Sequence, residues 1–174
     1  MHQFQKNNLV VKVFKTRSEL GAAAAEEVKQ KIVKVLEEKE HINIMFAAAP
    51  SQNEFLNELK QKNIEWFRIN AFHMDEYVGL DKKAPQLFAS YLNERLFNKV
   101  NLRSVHYING NAKDIQEECD RYAGLLNLFP TDIVCLGIGE NSHLAFNDPH
   151  VANFNDNETV KVVTLDEQSR LQQV

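Results

Sequence analysis

The sequence predicts an α/β fold built on a mostly parallel sheet with helices on both faces. Three observations carry this. Short apolar, β-branched runs alternate with stretches of helical apolar spacing about five times along the chain. Two of those runs, residues 42–47 (INIMFA) and 132–137 (DIVCLG), are apolar almost throughout, as strands buried on both faces are. The chain has 174 residues, which suits a single domain over 1–174 able to bury roughly 70% of its unfolded surface.

The elements follow in order. Residues 9–14 (LVVKVF) read as the first strand. Thr16 and Glu19 stand at capping-box spacing. Leu20, Ala24, Val28, Ile32 and Val35 then recur at helical period, to about residue 39. After the 42–47 strand, Ser51 and Glu54 form a second capping-box pattern, opening a helix through about residue 62. Residues 65–72 read as a strand and 73–83 as a polar loop. Pro85 suits the first turn of the next helix, which carries Leu87, Tyr91, Leu92 and Leu96 inward. Residues 104–108 form a short strand, 114–128 a helix and 132–137 a buried strand. A loop to Pro149 and a last strand over 159–165 follow, and a helix begins at about residue 166.

Composition narrows the function. Hydrophobic residues make up 44% and charged residues 25%, an ordinary globular balance, and the net charge of −4 argues against general nucleic-acid affinity. Cys119 and Cys135 show no CxxC or zinc spacing and read as two reduced, packed thiols. No N-terminal run resembles a signal peptide, and no apolar stretch reaches the ~18 residues of a membrane span. A soluble, cytoplasmic protein acting on a small molecule is expected. Oligomers are common for such folds, so a homo-oligomer is compatible with the sequence, which specifies no symmetry.

In open α/β sheets ligands bind at the carboxyl ends of the strands. Three loops there carry unusual chemistry. In the first, residues 46–52 (FAAAPSQ), small side chains let a ligand approach the backbone. Ser51 and helix N–H groups can hold a phosphate there, although capping alone also explains Ser51. In the second, residues 73–80 (HMDEYVGL), Asp75 and Glu76 are adjacent carboxylates. A shielded carboxylate serves as a general base, whereas a solvated acidic loop is the ordinary alternative. Gly79 is placed to supply a positive φ. In the third, residues 137–149 (GIGENSHLAFNDP), Gly137 and Gly139 permit close backbone approach without completing a dinucleotide fingerprint. Asp148 follows His143 by five residues, and a carboxylate near a histidine fixes its tautomer for proton transfer. The types of His73, His143, Asp75 and Asp148 would allow a metal, but their spacing matches no metal motif.

The segments 74–80 and 137–149 together resemble the glucosamine-6-phosphate deaminase/isomerase family, whose wider superfamily includes 6-phosphogluconolactonases. The likeness covers nearly the whole chain. It implies a Rossmann-like three-layer α/β/α fold and conversion of an amino-sugar 6-phosphate to a ketose phosphate plus ammonia, without metal or organic cofactor. It implies that Asp75 moves a proton between C2 and C1, that His143 protonates the ring oxygen, and that Asp148 orients His143. It also implies that Ala48, Ala49, Ser51 and Gln52 hold phosphate, with Glu76 and Gly139 close to the substrate. Departures are visible. Asn141, counted with the catalytic group, stands where the family carries an aspartate. Asp148 replaces a glutamate, Ser142 a glycine, and 47–50 reads AAAP without the usual glycine pair. Family chains continue with a further strand-helix portion, so the C-terminal part of the fold is expected to be missing here, leaving apolar surface at a sheet edge. Isomerisation without deamination, lactone hydrolysis and non-catalytic sugar-phosphate binding are the alternatives.

Overall fold

The computed structural model describes residues 1–172. The chain opens with an antiparallel hairpin, β1 (His2–Lys6) and β2 (Leu9–Val13), in the register His2↔Val13. The expected first strand therefore forms, but it pairs with β1 and stands outside the main sheet. The partner was hidden because HQFQK has no apolar run. The turn signal was Asn7, which adopts φ 53 in the two-residue loop.

The main sheet is wholly parallel: β3 (Ile42–Phe46), β4 (Ile69–His73), β5 (Ser104–His106) and β6 (Ile133–Cys135), in the order β5-β4-β3-β6. Alternation along β3 sends Ile42, Ile44 and Phe46 to one face, all fully buried. That face packs against α1 (Arg17–Leu36), α2 (Asn53–Leu59) and α3 (Phe88–Arg95) through Ala25, Ile32, Leu56, Leu59, Phe88 and Leu92. The opposite face carries Phe72, stacked on His106 at 4.6 Å and met edge-on by Tyr122 of α4 (Ile115–Leu128) at 6.1 Å. The result is helix, sheet, helix. Truncating a fully buried side chain such as Leu56 to Ala would cost about 2–5 kcal/mol.

The first capping box forms at Thr16, whose hydroxyl accepts the Glu19 N–H at 3.1 Å, while Glu19 accepts from the Lys15 N–H. Leu20 turns to solvent, and Gly21 takes the inward position instead. The reason is steric: a Cβ at Gly21 would lie 2.6 Å from the Glu54 Cβ, so α1 and α2 meet across bare backbone.

Three further expectations need correction. Strand β4 begins at Ile69 because Trp66–Arg68 make a 3-10 turn, from which Arg68 donates to the carbonyls of Leu36, Lys39 and Glu40 at the end of α1. Helix α3 begins at Phe88, three residues past Pro85, because Leu87 is extended and a carboxylate caps the next N–H groups. Residues 159–165 join no ladder. Their end binds turn residues instead: the Thr164 carbonyl meets His150 Nε2 at 2.9 Å, and the N–H of the following Asp166 donates to Asp148 Oδ2 at 2.9 Å. The final helix, α5 (Glu167–Gln172), forms as expected. Both cysteines are free and buried, and among the described residues no helix is long and apolar enough to cross a membrane.

Candidate active site

The register puts Phe46, His73 and Cys135 side by side at the carboxyl edge of the sheet. The three chemistry-bearing loops therefore leave from adjacent strands in the same direction, as a parallel ladder requires. They enclose a cavity of about 480 Å³, within the range of small-molecule sites.

The first loop is held at several points. The Ala47 N–H donates to the Cys135 carbonyl at 2.9 Å, joining the loop to β6. Tyr91 of α3 donates its hydroxyl to the Ala49 carbonyl at 2.5 Å. Arg17 donates to the Pro50 carbonyl at 2.8 Å while forking onto Glu54 at 2.9 and 2.8 Å. Ser51 lies inside a 3-10 turn, Pro50–Gln52, capped by no side chain, so the second capping box does not form. Glu54 is drawn to Arg17 instead. Ala48, Ala49 and Ser51 line the cavity, with the Ser51 hydroxyl accepting from the buried Gln52 amide at 3.3 Å. Gln52 itself lies behind the wall, under Gly137.

In the second loop Asp75 lines the cavity. Burial, and then the neighbouring Glu76 charge, push its carboxyl up to about 7. Glu76 does not share that wall. Its carboxylate accepts the N–H groups of Tyr77, Phe88 and Ala89 at 2.9, 3.1 and 3.0 Å, so it ties the loop to the first turn of α3. Glu76, expected beside the substrate, stands here as the cap of that helix turn. Gly79 does adopt φ +81.

The third loop places Gly139 and His143 on the cavity. The imidazole Nδ1 lies 2.6 Å from Asn141 Oδ1 and 3.1 Å from Asp148 Oδ1, leaving Nε2 for the cavity side. Asn141 and Asp148 stand behind the histidine. Asp148 is fully buried. Burial alone would raise its carboxyl, but hydrogen bonds from Ser169 and Asn141, the Asp166 N–H and the imidazole together hold it at about 2. Asp166 is also held below the ordinary carboxylate range, chiefly by the Ser169 N–H. Ser142 and Ala145 carry φ of 69 and 53, a left-handed backbone flanking the histidine.

Two parts of the site gave no sequence signal. Phe88 and Phe146 form an apolar wall, stacked at 5.7 Å, with Tyr77 tilted on Phe88 at 4.8 Å. Asp166 and Ser169 reach the back of the histidine from the end of the chain. His73 is buried apart from the cavity. Its Nε2 accepts the Ile108 N–H at 2.7 Å, and burial pushes its pKa down to about 4, so it joins no cluster with His143. Among the described residues, Asp148, His150 and Asp166 are the group whose donor atoms lie within 4.8 Å of one another. The hydrogen bonds just given already satisfy the Asp148 member.

The family model described as glucosamine-6-phosphate isomerases/6-phosphogluconolactonase matches residues 15–173. Proteins named glucosamine-6-phosphate deaminase from Bacillus cereus (strain G9842) and Bacillus thuringiensis (strain Al Hakam) are each 32% identical over 164 residues. These alignments cover 94% of this chain. The chain spans 59% of the length of these curated relatives. A solved monomeric glucosamine-6-phosphate deaminase is 32% identical with a TM-score of 0.79, covering 91% of this chain and 66% of that one. A 6-phosphogluconolactonase from Thermotoga maritima is 26% identical with a TM-score of 0.66, covering 72% of this chain and 58% of that one.

Proposed function

The chain belongs to the glucosamine-6-phosphate isomerase/6-phosphogluconolactonase family, and from that premise we propose that it converts glucosamine 6-phosphate, or a closely similar amino-sugar phosphate, to a ketose 6-phosphate and ammonia. The observation that carries the reading is the convergence of Asp75 and His143 on one cavity of about 480 Å³.

The chemistry follows from the two groups. His143 gives a proton to the ring oxygen as the anomeric hydroxyl releases one, and the sugar opens to its aldehyde. The Asp75 carboxylate, poised near neutrality by burial, takes the C2 proton and returns it to C1, while the amine gives up a proton and O1 gains one. C2 is left as an imine. Water adds there, and ammonia leaves. Asn141 and Asp148 hold the imidazole by Nδ1 throughout. The Ser51 hydroxyl and the backbone of residues 47–51 receive the phosphate, and the Phe88–Phe146 wall receives the apolar face of the sugar. A soluble small-molecule enzyme needs no nucleic acid or membrane partner for this.

Lactone hydrolysis is the second reading. It is favoured by Asn141, because an imidazole bonded to a neutral amide is suited to acting as a base toward water. The test is a parallel assay with glucosamine 6-phosphate, hexose 6-phosphates and 6-phosphogluconolactone. Ammonia release from the amino sugar, lost in Asp75→Asn, is expected. Turnover of the lactone alone would replace the first reading with the second, and no turnover of any of them would leave a binding protein.

A further inference from the structure

We infer that Asp166 is a positioning residue for His143, acting through the amide of Asn141. The argument begins with the geometry of that amide. Its Oδ1 faces the Nδ1 of His143 at 2.6 Å and accepts the His143 backbone N–H at 3.2 Å. Its Nδ2 donates to Asp148 Oδ1 at 2.9 Å and to Asp166 Oδ2 at 3.0 Å. Both amide protons are therefore spent on carboxylates. A flipped amide would set its oxygen against two carboxylates and its NH2 against an N–H, so one orientation is imposed. An amide oxygen only accepts. With Asp148 Oδ1, 3.1 Å away, as the second acceptor, it confines the proton of a neutral His143 to Nδ1 and leaves the lone pair on Nε2. Two donated bonds also polarise the amide and strengthen its oxygen as an acceptor.

Asp166 is held for this task. Its Oδ1 accepts the Ser169 N–H at 2.7 Å, which caps α5, while its own N–H donates to Asp148 Oδ2 at 2.9 Å. Ser169 completes the frame by donating its hydroxyl to Asp148 Oδ1 at 2.6 Å. One oxygen of Asp166 thus serves the helix and the other serves Asn141.

The inference rests on the proposed reaction only in taking His143 as its acid–base group. Its first test needs no turnover. Asn caps helices as well as Asp does, so Asp166→Asn keeps α5. Its Oδ1 remains with the Ser169 N–H, and its NH2 is brought against the NH2 of Asn141. That repulsion competes with the bonds that hold the amide, to Asp148 Oδ1 and from the His143 N–H, and raises the share of flipped Asn141, which faces His143 with a donor against the pull of Asp148 Oδ1 at 3.1 Å. Nitrogen-15 NMR of histidine-labelled protein at about pH 9, where an ordinary imidazole is neutral, reads the tautomer directly. Wild type should show Nδ1–H, and Asp166→Asn should show a substantial Nε2–H population. Adding Asn141→Asp to Asp166→Asn should restore Nδ1–H. Should Asp166→Asn not fold, Asp166→Ser, which also caps, is read in the same way. An unchanged Nδ1–H tautomer in the folded single variant overturns the inference.

With glucosamine 6-phosphate, kcat should fall by ~10–100-fold in the single variant with KM little changed, and should recover in the exchanged pair. A tautomer shift in a protein whose wild type releases no ammonia would sustain this inference and sink the functional reading. Turnover with an unmoved tautomer would do the reverse.

Discussion

Gly139 and His143 meet with no room for a side chain between them: a Cβ on Gly139 would lie 2.3 Å from the imidazole Cε1 and 2.4 Å from Nε2. The backbone closes the same turn, with the Gly139 N–H donating to the His143 carbonyl at 3.0 Å. Gly139→Ala must push the ring from its place over the cavity. A displacement of about 1 Å is worth roughly 10²-fold in rate, so kcat/KM should drop by that order. The melting temperature should fall as well, because the imidazole is only 10% exposed and leans on fully buried Asp148. Steady-state kinetics beside a thermal melt checks both halves.

Asp75 couples activity and stability to pH in opposite senses. Its carboxyl is raised to about 7, so the folded chain holds that proton more tightly than the unfolded chain does. The group thus contributes stability at low pH, below its ordinary value, and that contribution is lost as pH rises through about 7. The proposed reaction needs the carboxylate, so activity should rise as pH passes through about 7. Asp75→Asn should abolish turnover and stabilise the fold at pH 8 by about 2–4 kcal/mol. Denaturation midpoints at pH 5 and pH 8 would show it, the gain being larger at the higher pH and vanishing only below about pH 4.

Ser142 carries φ 69 without being glycine. A side chain in that region costs about 1–2 kcal/mol, partly offset by the greater freedom of an unfolded glycine. Ser142→Gly is therefore expected to stabilise by about 1 kcal/mol in urea denaturation. A loss of stability would mean that the serine contributes more than its backbone costs.

Glu76 should matter to the helix it caps. Glu76→Ala strips acceptors from the N–H groups of Phe88 and Ala89 and should cost about 1–2 kcal/mol. Glu76→Gln keeps one acceptor oxygen and removes the charge beside Asp75. Its pH–rate profile should therefore move to lower pH with a smaller loss of stability.

Tyr91 reaches the first loop through its hydroxyl, which bonds the Ala49 carbonyl and also Asn53 Oδ1 at the start of α2. Tyr91→Phe frees the Ala49 carbonyl while leaving Asp75 and His143 in place. KM for the sugar phosphate should rise several-fold with kcat nearly unchanged, as for a contact serving binding rather than the transition state.

The parallel sheet was legible because Ile44 and Ile133 sit within unbroken apolar runs, but only β3 and β4 are covered on both faces: β6, expected to be buried on both, is an edge strand whose Val134 is 48% exposed. The hairpin partner was not, since nothing in His2–Lys6 is patterned for burial. The strand read at 159–165 failed because apolar content cannot announce whether a neighbour will pair with it. Within the site, Asp75 and His143 stood out as chemistry beside glycines and turns. Glu76 is drawn to the N–H groups of Phe88 and Ala89, a partner 12–13 positions away that the Asp-Glu pair does not announce. Phe88, Asp166 and Ser169 reach the site from distant elements, through contacts that no local spacing encodes.

The sheet order has a consequence for how the molecule comes into being. Strand β4 joins β3 after a single intervening helix, whereas the Asn43 N–H reaches Asp132 across 89 positions before β6 can zip onto the other edge. Closing so long a loop is entropically late. The Ala47 bond to Cys135 waits for it, and with it the shape of the turn proposed to receive phosphate. A chain part-way through refolding is thus blind to its ligand until the last strand docks. A sugar phosphate added to the refolding buffer should leave the early phase untouched and trap only the final one.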